Sequence, residues 1–276
     1  MSSRAGSTGS SSRKTTSSAS SSRPTGCSDA PPDLWSVLMR PVGYSTGALA
    51  LSDVERALSM LEGSSATAVE LSALRISELK PLLRLLGSLD LSRYGYVSFH
   101  APSRFDAAEE RAVADAMAEV AALGWLIVLH PDTLHDLGAF RQFGGLLAIE
   151  NMDKRKRTGR TVEELEPFFD ALPDASFCFD IGHAHQVDRT MTEAHFLVRE
   201  HRTRLKQLHV SEVNAGSRHG ALSQSAAHAF QRIAAHIPDG AALILETPAS
   251  PAELERQMAI ARAALSTPNR LETTRA

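Results

Sequence analysis

Several short apolar runs in this chain stop at a residue that can bind a metal ion or carry a proton. The clearest example is the run from Phe177 to Phe179, which ends at Asp180 and is followed by Gly182 and His183. Five further runs of this kind end at His100, His130, Glu150, His209 and Glu246. Separate strands have no packing reason to end alike. This repeated ending constrains the fold more than any other feature of the sequence.

The runs have the length and composition of buried parallel strands. Each holds four to six residues rich in Val, Ile, Leu and Phe, and helical patterns separate them. Two earlier strands are predicted at 42–45 and 66–71, with Glu70 near the end of the second. Eight units with polar residues gathered at the strand ends favour an α/β fold of the closed (β/α)8, or TIM barrel, type. The sequence lacks the glycine-rich phosphate loop that an open doubly wound sheet more often carries.

Helix-start signals support this alternation. Ser52 and Glu55, and again Thr161 and Glu164, have the spacing of a capping box, in which each end of the motif satisfies a free backbone N–H. We therefore predict Ser52 and Thr161 as N-caps. Further helices are predicted at 76–86, 107–123, 161–172 and 251–265.

The first 33 residues differ from the rest in composition. They are mostly Ser, Thr, Gly, Ala and Arg, and such a segment buries too little apolar surface to offset the entropy lost on ordering. We predict a disordered tail at 1–33 and a TIM-barrel domain at 34–276. The tail is interpreted as a dispensable extension, with a phosphorylation segment or a weak basic tether as the alternative.

Charge and cysteine content limit the compartment and the partners. The 276 residues carry a formal net charge of −3, which argues against a generally basic nucleic-acid surface. Cys27 in the tail and Cys178 in a buried strand form an implausible disulfide pair, so a reducing compartment is indicated. The sequence has neither an apolar run of membrane-spanning length nor the apolar core of a secretory signal. We expect a cytoplasmic protein with no membrane partner.

Barrel closure would bring the strand ends around one axis. The residues that would meet there are His100, His130, Glu150, Asp180, His183, His209 and Glu246. Imidazole and carboxylate ligands together suit zinc, manganese, iron or cobalt. Inward-facing carboxylates would also repel one another unless a cation neutralised them. The sequence therefore predicts a divalent metal site.

Other polar residues have less specific interpretations. Five histidines on predicted helices or loops are expected to face solvent: His135, His195, His201, His228 and His236. His185 is left open, because it lies only two residues beyond His183. Arg104, Arg218 and the basic loop 154–157 could hold an anionic group of a substrate, or they could simply be solvated.

The strand-end motifs carry a family resemblance. They are His100-Ala101-Pro102, His130-Pro131, Glu150-Asn151, Asp180-Ile181-Gly182-His183, His209 within Leu208-His209-Val210, and the terminal Glu246. In order and spacing, the chain resembles the xylose-isomerase-like TIM-barrel superfamily over about residues 41–265. That superfamily includes sugar isomerases and epimerases and also endonuclease IV.

The ketose epimerase branch implies one divalent ion. Its four ligands correspond to Glu150, Asp180, His209 and Glu246, and His183 would contact the sugar. The two glutamates would also be the acid/base pair on either side of the reacting carbon. In such a reaction the metal polarises a carbonyl while the carboxylates exchange the neighbouring proton.

The endonuclease IV branch implies up to three zinc ions. His100 and His130 would hold one ion, with Glu150 bridging to a second. The third ion would use His183 and an Asp-x-His pair, which falls here on Ser217-Arg218-His219. One carboxylate ligand is therefore replaced by Ser217, although Arg218 and His219 remain candidates for this region.

Three functions follow as expectations. The first is an isomerase or epimerase that acts on a small sugar or sugar phosphate, uses one to three Mn, Zn, Co or Fe ions, and has Glu150 and Glu246 as its acid/base pair. The alternative is a multi-zinc phosphodiester hydrolase active on DNA, which the low aromatic content of 5% makes less expected. The third is a metabolite-binding barrel without catalysis. Barrels of this kind often self-associate, so a homo-oligomer is also compatible with the sequence.

Overall fold

The computed structural model describes residues 40–266. The predicted disorder of residues 1–33, the predicted domain start at residue 34 and the placement of Cys27 lie outside these residues. None of the helices between residues 40 and 266 is long and apolar enough to cross a bilayer.

Eight parallel strands close into a barrel, which confirms the predicted fold class. The barrel strands are β1 (Val42–Ser45), β2 (Ala68–Ser72), β3 (Tyr96–His100), β4 (Leu126–Leu129), β5 (Leu147–Glu150), β6 (Ser176–Asp180), β7 (Leu205–Val210) and β10 (Ala242–Leu245). Their order around the barrel is β1-β10-β7-β6-β5-β4-β3-β2. An antiparallel hairpin, β8 (Glu212–Val213) and β9 (His219–Gly220), lies between β7 and β10 in the chain.

Helices follow the strands as the (β/α) pattern requires. They are α1 (Thr46–Ala50), α2 (Val54–Leu61), α3 (Ile76–Leu85), α4 (Glu110–Ala121), α5 (Leu137–Phe140), α6 (Val162–Ala171), α7 (Ile181–Val187), α8 (Thr192–Glu200), α9 (Gln224–Gln231) and α10 (Leu254–Ala264). Short 3₁₀ turns occur at Leu86–Ser88, Pro131–Thr133, Arg141–Leu146 and Ala234–His236. The predicted helix at 107–123 is shorter in the structure, where α4 spans Glu110–Ala121.

One of the two predicted N-caps is correct. The Thr161 hydroxyl accepts a hydrogen bond from the Glu164 backbone N–H and caps α6, as expected. The α2 cap is Asp53 rather than the predicted Ser52, because the Asp53 carboxylate accepts from the Arg56 N–H at 3.0 Å. Serine and aspartate are both good N-caps. The prediction chose Ser52 because of its spacing to Glu55, and that choice was wrong.

Close strand approach at β1 depends on a glycine. A Cβ built on Gly43 would lie 1.7 Å from the carbonyl oxygen of Ala68, its register partner on β2. Any side chain there would push the two strands apart. Gly43 therefore permits the barrel to close between β1 and β2.

His201 contradicts its predicted solvent exposure. It is only 6% exposed, and its ring lies 4.5 Å from the ring of Phe169 and 5.1 Å from that of Phe177, measured between centroids. The residue follows α8, and the chain turns back there toward β7 and carries the ring into the apolar layer. Of the other four, His135, His228 and His236 are exposed as expected and His195 is half-buried; His185, left open above, is buried.

The buried position of His201 makes stability depend on pH. Burial, aided by the nearby Arg204, lowers the pKa of His201 from its ordinary 6.5 to about 4. As the pH falls, His201 is therefore protonated in the unfolded chain before it is protonated in the folded chain. Its contribution to the free energy of unfolding is complete above pH 6.5 and is lost as the pH falls toward 4. We expect this loss to be roughly 2 kcal/mol.

Chemical denaturation at pH 7 and pH 4.5 would measure this contribution. His201→Leu should lose less stability between the two pH values than the unsubstituted chain, since the buried titrating group is gone. His228→Leu, at an exposed site, is the control and should behave like the parent. An unchanged pH dependence in His201→Leu would contradict the assignment.

Candidate metal centre

Six strands deliver polar side chains to the carboxyl-terminal mouth of the barrel. His100, Glu150 and Asp180 are the last residues of β3, β5 and β6, and His209 is the penultimate residue of β7. His130 and Glu246 come directly after β4 and β10, one residue later than the strand ends predicted for them. The predicted convergence is therefore present in the structure.

Glu150 lies at the centre of this group and is 1% exposed. Its Oε2 atom is 3.3 Å from His100 Nε2 and 3.4 Å from His130 Nε2. Its Oε1 atom is 3.2 Å from His209 Nδ1 and 3.5 Å from His183 Nδ1. The two oxygens of one carboxylate thus face two different sets of imidazoles.

The side chains form overlapping groups of potential ligands. In each group, one nitrogen or oxygen per residue lies within 4.8 Å of the others. The groups are His100-His130-Glu150, His100-His209-Glu246, Glu150-Asp180-His209-Glu246, and Asp180-His183-His219. Glu150 belongs to the first and third of these, so it connects the two halves of the cluster.

Asp180 has a structural role as well as a place in the cluster. It ends β6 and caps α7, since its Oδ1 accepts a hydrogen bond from the His183 N–H at 2.6 Å. Asn151 pairs with the Asp180 backbone through both side-chain atoms, each at 2.8 Å. A Cβ at Gly182 would lie 2.5 Å from the Ser211 carbonyl oxygen, so only glycine lets α7 begin this close to the end of β7.

Burial and neighbouring charges shift the pKa values of the cluster. Burial raises the pKa of Asp180 to about 8, and the nearby carboxylates of Glu150 and Glu246 act in the same direction. Burial opposes the charging of His100, but its hydrogen bond to Glu150 and the carboxylate charges raise its pKa to about 9. Burial also opposes ionisation of Glu150, yet its histidine neighbours hold its pKa well below the ordinary value. The cluster thus retains ionised groups although most of its side chains are buried.

The donor set fits a divalent ion. Besides His130 Nδ1, two buried atoms in the cluster, His209 Nδ1 and Asp180 Oδ2, have no hydrogen-bond partner among residues 40–266. Buried polar atoms are rarely left unpaired, and these two belong to the same four-residue group. A mixture of imidazoles and carboxylates suits zinc, manganese, iron or cobalt. A cation would satisfy both atoms and offset the repulsion among the carboxylates.

A cavity of about 420 Å³ opens above the cluster. Three cationic residues line it, and two of them are already paired: Lys156 Nζ lies 2.7 Å from Asp132, and Arg155 Nε lies 3.1 Å from Asp153. The exposed Arg104 has no ion pair among the described residues. Of the residues between 40 and 266 that line the cavity, none is Phe, Tyr or Trp.

The β8–β9 hairpin, which sequence patterns did not indicate, carries the remaining predicted residues. His219 reaches the cluster, with Nδ1 3.3 Å from Glu246 Oε2. Arg218 is exposed and is not among the cavity-lining residues. Ser217 has a positive φ of 54°, and its hydroxyl donates to Asp153 Oδ1 at 2.7 Å.

Two buried acids near the cluster were not predicted as site residues. Glu70, in the middle of β2, contacts His209 from inside the barrel, with Oε2 3.1 Å from Nε2. Asp153 is 3% exposed and lies beside the cavity. Glu70 had a signal in the sequence, since a single carboxylate interrupts an otherwise apolar run, whereas Asp153 sits in a basic loop without any such mark.

The fold and this mouth define a class: a closed (β/α)8 barrel with imidazole and carboxylate groups that could hold metal ions at the carboxyl ends of its strands. A family model described as xylose isomerase-like TIM barrel matches residues 95–266. The chain therefore belongs to the xylose isomerase-like TIM barrel family. No curated protein matches the sequence.

Solved structures show the same fold at low identity. Endonuclease IV from Thermus thermophilus is 20% identical, with 82% of this chain and 98% of that chain covered and a TM-score of 0.52. A xylose isomerase-like TIM barrel protein from Mycobacterium smegmatis, in complex with magnesium, is 12% identical, with coverage of 82% and 98% and a TM-score of 0.54. At such identities the likeness concerns the fold.

The shared position of Glu150 gives an expectation about metal content. If two ions share this carboxylate, Glu150→Ala should lose both from the zinc-loaded, desalted protein, while His130→Ala should lose only one. Elemental analysis of zinc per chain would measure this, with folding checked by circular dichroism.

Glu110→Gln is the matched control for this measurement. Glu110 is also a buried glutamate, but it accepts hydrogen bonds from the backbone N–H groups of His135 and Asp136. It should retain the zinc content of the parent. Equal losses in Glu150→Ala and His130→Ala would argue against a bridging carboxylate.

Proposed function

We propose that the chain is a metal-dependent hydrolase that cleaves small phosphate esters with two divalent ions joined through Glu150. The observation that carries this proposal is the placement of the two Glu150 oxygens, one facing His100 and His130 and the other facing His209. A single ion held by Glu150, Asp180, His209 and Glu246 would leave His100 and His130 without a role as ligands. Pairs of divalent ions occur in phosphatases and nucleases, which cleave phosphate esters.

The cationic lining of the cavity supports an anionic substrate. Arg104 is free of ion pairs among the described residues and is exposed beside the cluster, and a guanidinium matches the geometry of a phosphate group. We therefore assign Arg104 to phosphate binding. Arg155 and Lys156 supply further positive charge, partly neutralised by Asp153 and Asp132.

The protein's own groups would share the remaining chemistry. Bound divalent ions would supply Lewis-acid activation of the ester and of an attacking water. Glu150 and Glu246 both line the cavity. The Glu246 side chain is 16% exposed and that of Glu150 is 1% exposed, so Glu246 is the more accessible of the two to hold or pass a proton. His219 lies beside Glu246 and would orient its carboxylate.

The size and lining of the cavity favour a small ester over duplex DNA. Enzymes that open a duplex stack bases on aromatic or apolar side chains. The cavity-lining residues in the described part of the chain include no Phe, Tyr or Trp, and their apolar members include the aliphatic Leu51 and Leu74. We place DNA cleavage behind hydrolysis of small phosphate esters.

The isomerase or epimerase hypothesis remains the second candidate. It is supported by the four-residue group of Glu150, Asp180, His209 and Glu246, which has the complete ligand set for a single ion and two glutamates for proton exchange. His100 and His130 would then only line the pocket. The two hypotheses therefore differ in what they require of His130.

His130→Ala separates the two candidates. For a two-ion hydrolase, we expect turnover of p-nitrophenyl phosphate mono- and diesters with zinc or manganese to fall about 100-fold or more. For a single-ion isomerase, ketose interconversion should persist in this variant. Glu246→Gln should abolish either activity, and Glu110→Gln is the control for folding.

Assays of the unsubstituted protein complete this test. Interconversion of ketoses with one ion per chain and no ester hydrolysis would overturn the hydrolase proposal. Nicking of abasic DNA would instead move the substrate class to nucleic acid.

Arg104→Ala tests the phosphate assignment separately. Loss of this guanidinium should raise KM for a phosphate ester about tenfold while kcat changes little, because a charge-assisted hydrogen bond to the bound ester is lost. Steady-state kinetics measures both constants. Arg111→Ala is the matched control, since Arg111 is exposed on α4 and pairs with Asp115. Equal kinetics for Arg104→Ala and the parent would remove Arg104 from the substrate site.

A further inference from the structure

Polar side chains occupy part of the barrel interior below the candidate metal centre. Interiors of (β/α)8 barrels are ordinarily packed with branched apolar side chains. Here Glu70 on β2 and Gln207 on β7 are both fully buried, together with Ser98 on β3. A carboxylate in this position costs free energy unless it is hydrogen-bonded. Its presence calls for an interaction that an apolar residue could not provide.

Glu70 contacts His209 across the barrel rather than along a strand ladder. Strands β2 and β7 are not neighbours, since β1 and β10 lie between them. Glu70 Oε2 is 3.1 Å from His209 Nε2, 2.6 Å from Gln207 Nε2 and 3.3 Å from Ser98 Oγ. Gln207 is held in turn by the hydroxyl of Tyr96, which donates to its Oε1 at 2.9 Å. The carboxylate is thus fixed from several sides.

This contact determines which nitrogen of His209 faces the metal centre. Gln207 Nε2 also lies 2.9 Å from His209 Nε2, but it already donates to Glu70 Oε2. With His209 Nε2–H donating to the same carboxylate, the neutral ring carries its lone pair on Nδ1. That atom lies 3.2 Å from Glu150 Oε1 and 3.7 Å from Glu246 Oε1, and it has no hydrogen-bond partner among residues 40–266. The opposite tautomer would place an N–H where a ligand lone pair is needed.

We propose that Glu70 is a positioning residue that holds the His209 ring in its Nε2–H tautomer and so offers Nδ1 to a divalent cation. The proposal rests on the metal centre assumed in the proposed function. Carboxylates that orient a ligating histidine in this way affect metal affinity by about 10–100-fold. A role in packing alone does not explain why a carboxylate, with its Oε1 atom left unpaired within the described chain, occupies this place.

Two substitutions separate hydrogen bonding from packing. Glu70→Gln retains a side-chain oxygen that can accept from Nε2–H, whereas Glu70→Leu removes the acceptor at similar volume. We expect Glu70→Leu to weaken zinc binding about 10–100-fold, measured by competition with a chromophoric chelator. The zinc affinity of Glu70→Gln should stay within about tenfold of that of the parent. Glu110→Gln, which changes a buried glutamate outside the cluster, should have the zinc affinity of the parent.

Nitrogen-15 spectra of the His209 ring give the decisive readout. The spectra are recorded without metal, at an alkaline pH where the ring is neutral. In the parent we expect the proton on Nε2, and in Glu70→Leu we expect a mixture of the two tautomers. The proposal would be overturned if the parent carried the proton on Nδ1. It would also be overturned if Glu70→Leu had the same zinc affinity and the same tautomer as the parent. The spectrum of the parent tests the proposal even if the Glu70→Leu variant fails to fold. If the parent binds no divalent ion, the proposed function fails, while the tautomer still tests Glu70.

Discussion

The arrangement depends on one electrostatic constraint: several carboxylates are buried within a few ångströms of each other at the barrel mouth. Glu150, Asp180 and Glu70 are at most 1% exposed, and ionised groups in such surroundings require counter-charge or hydrogen bonds to be retained. The imidazoles supply part of this, which explains why Glu150 remains ionised while burial raises the pKa of Asp180. Rigid strand ends hold the groups together, where mobile loops would let the charges separate.

The sequence predicted the barrel and most of the mouth because both depend on local order along the chain. A buried parallel strand reads as an apolar run, and its end is marked by the first polar residue, as at Asp180 and Glu150. Closure then makes these ends converge whatever the loops do. The errors were local: His130 and Glu246 fall just outside their strands, and Asp53 rather than Ser52 caps α2.

Contacts between distant elements could not be predicted in this way. His201 looks like a polar residue after a helix, and only the positions of Phe169 and Phe177 reveal that its ring is buried. Glu70 looks like an isolated acid in a strand, and its contact with His209 spans 139 residues of sequence. The β8–β9 hairpin has only two residues per strand, too few for a period-two pattern to be recognised.

The β8–β9 hairpin is the part of the site where the expected set of ligands is incomplete. His183 and His219 approach each other, with ring centroids 5.3 Å apart, but the neighbouring Ser217 hydroxyl is turned toward Asp153 and also accepts from Gln186 Nε2 at 2.8 Å. These hydrogen bonds hold Ser217 in a left-handed backbone conformation that a non-glycine residue adopts only with support from its surroundings. The serine therefore stabilises the loop beneath the cavity, and the group of His183, His219 and Asp180 has to share Asp180 with the Glu150 cluster. Because Ser217 supplies no carboxylate, Asp180 is the only acidic side chain in that group of described residues.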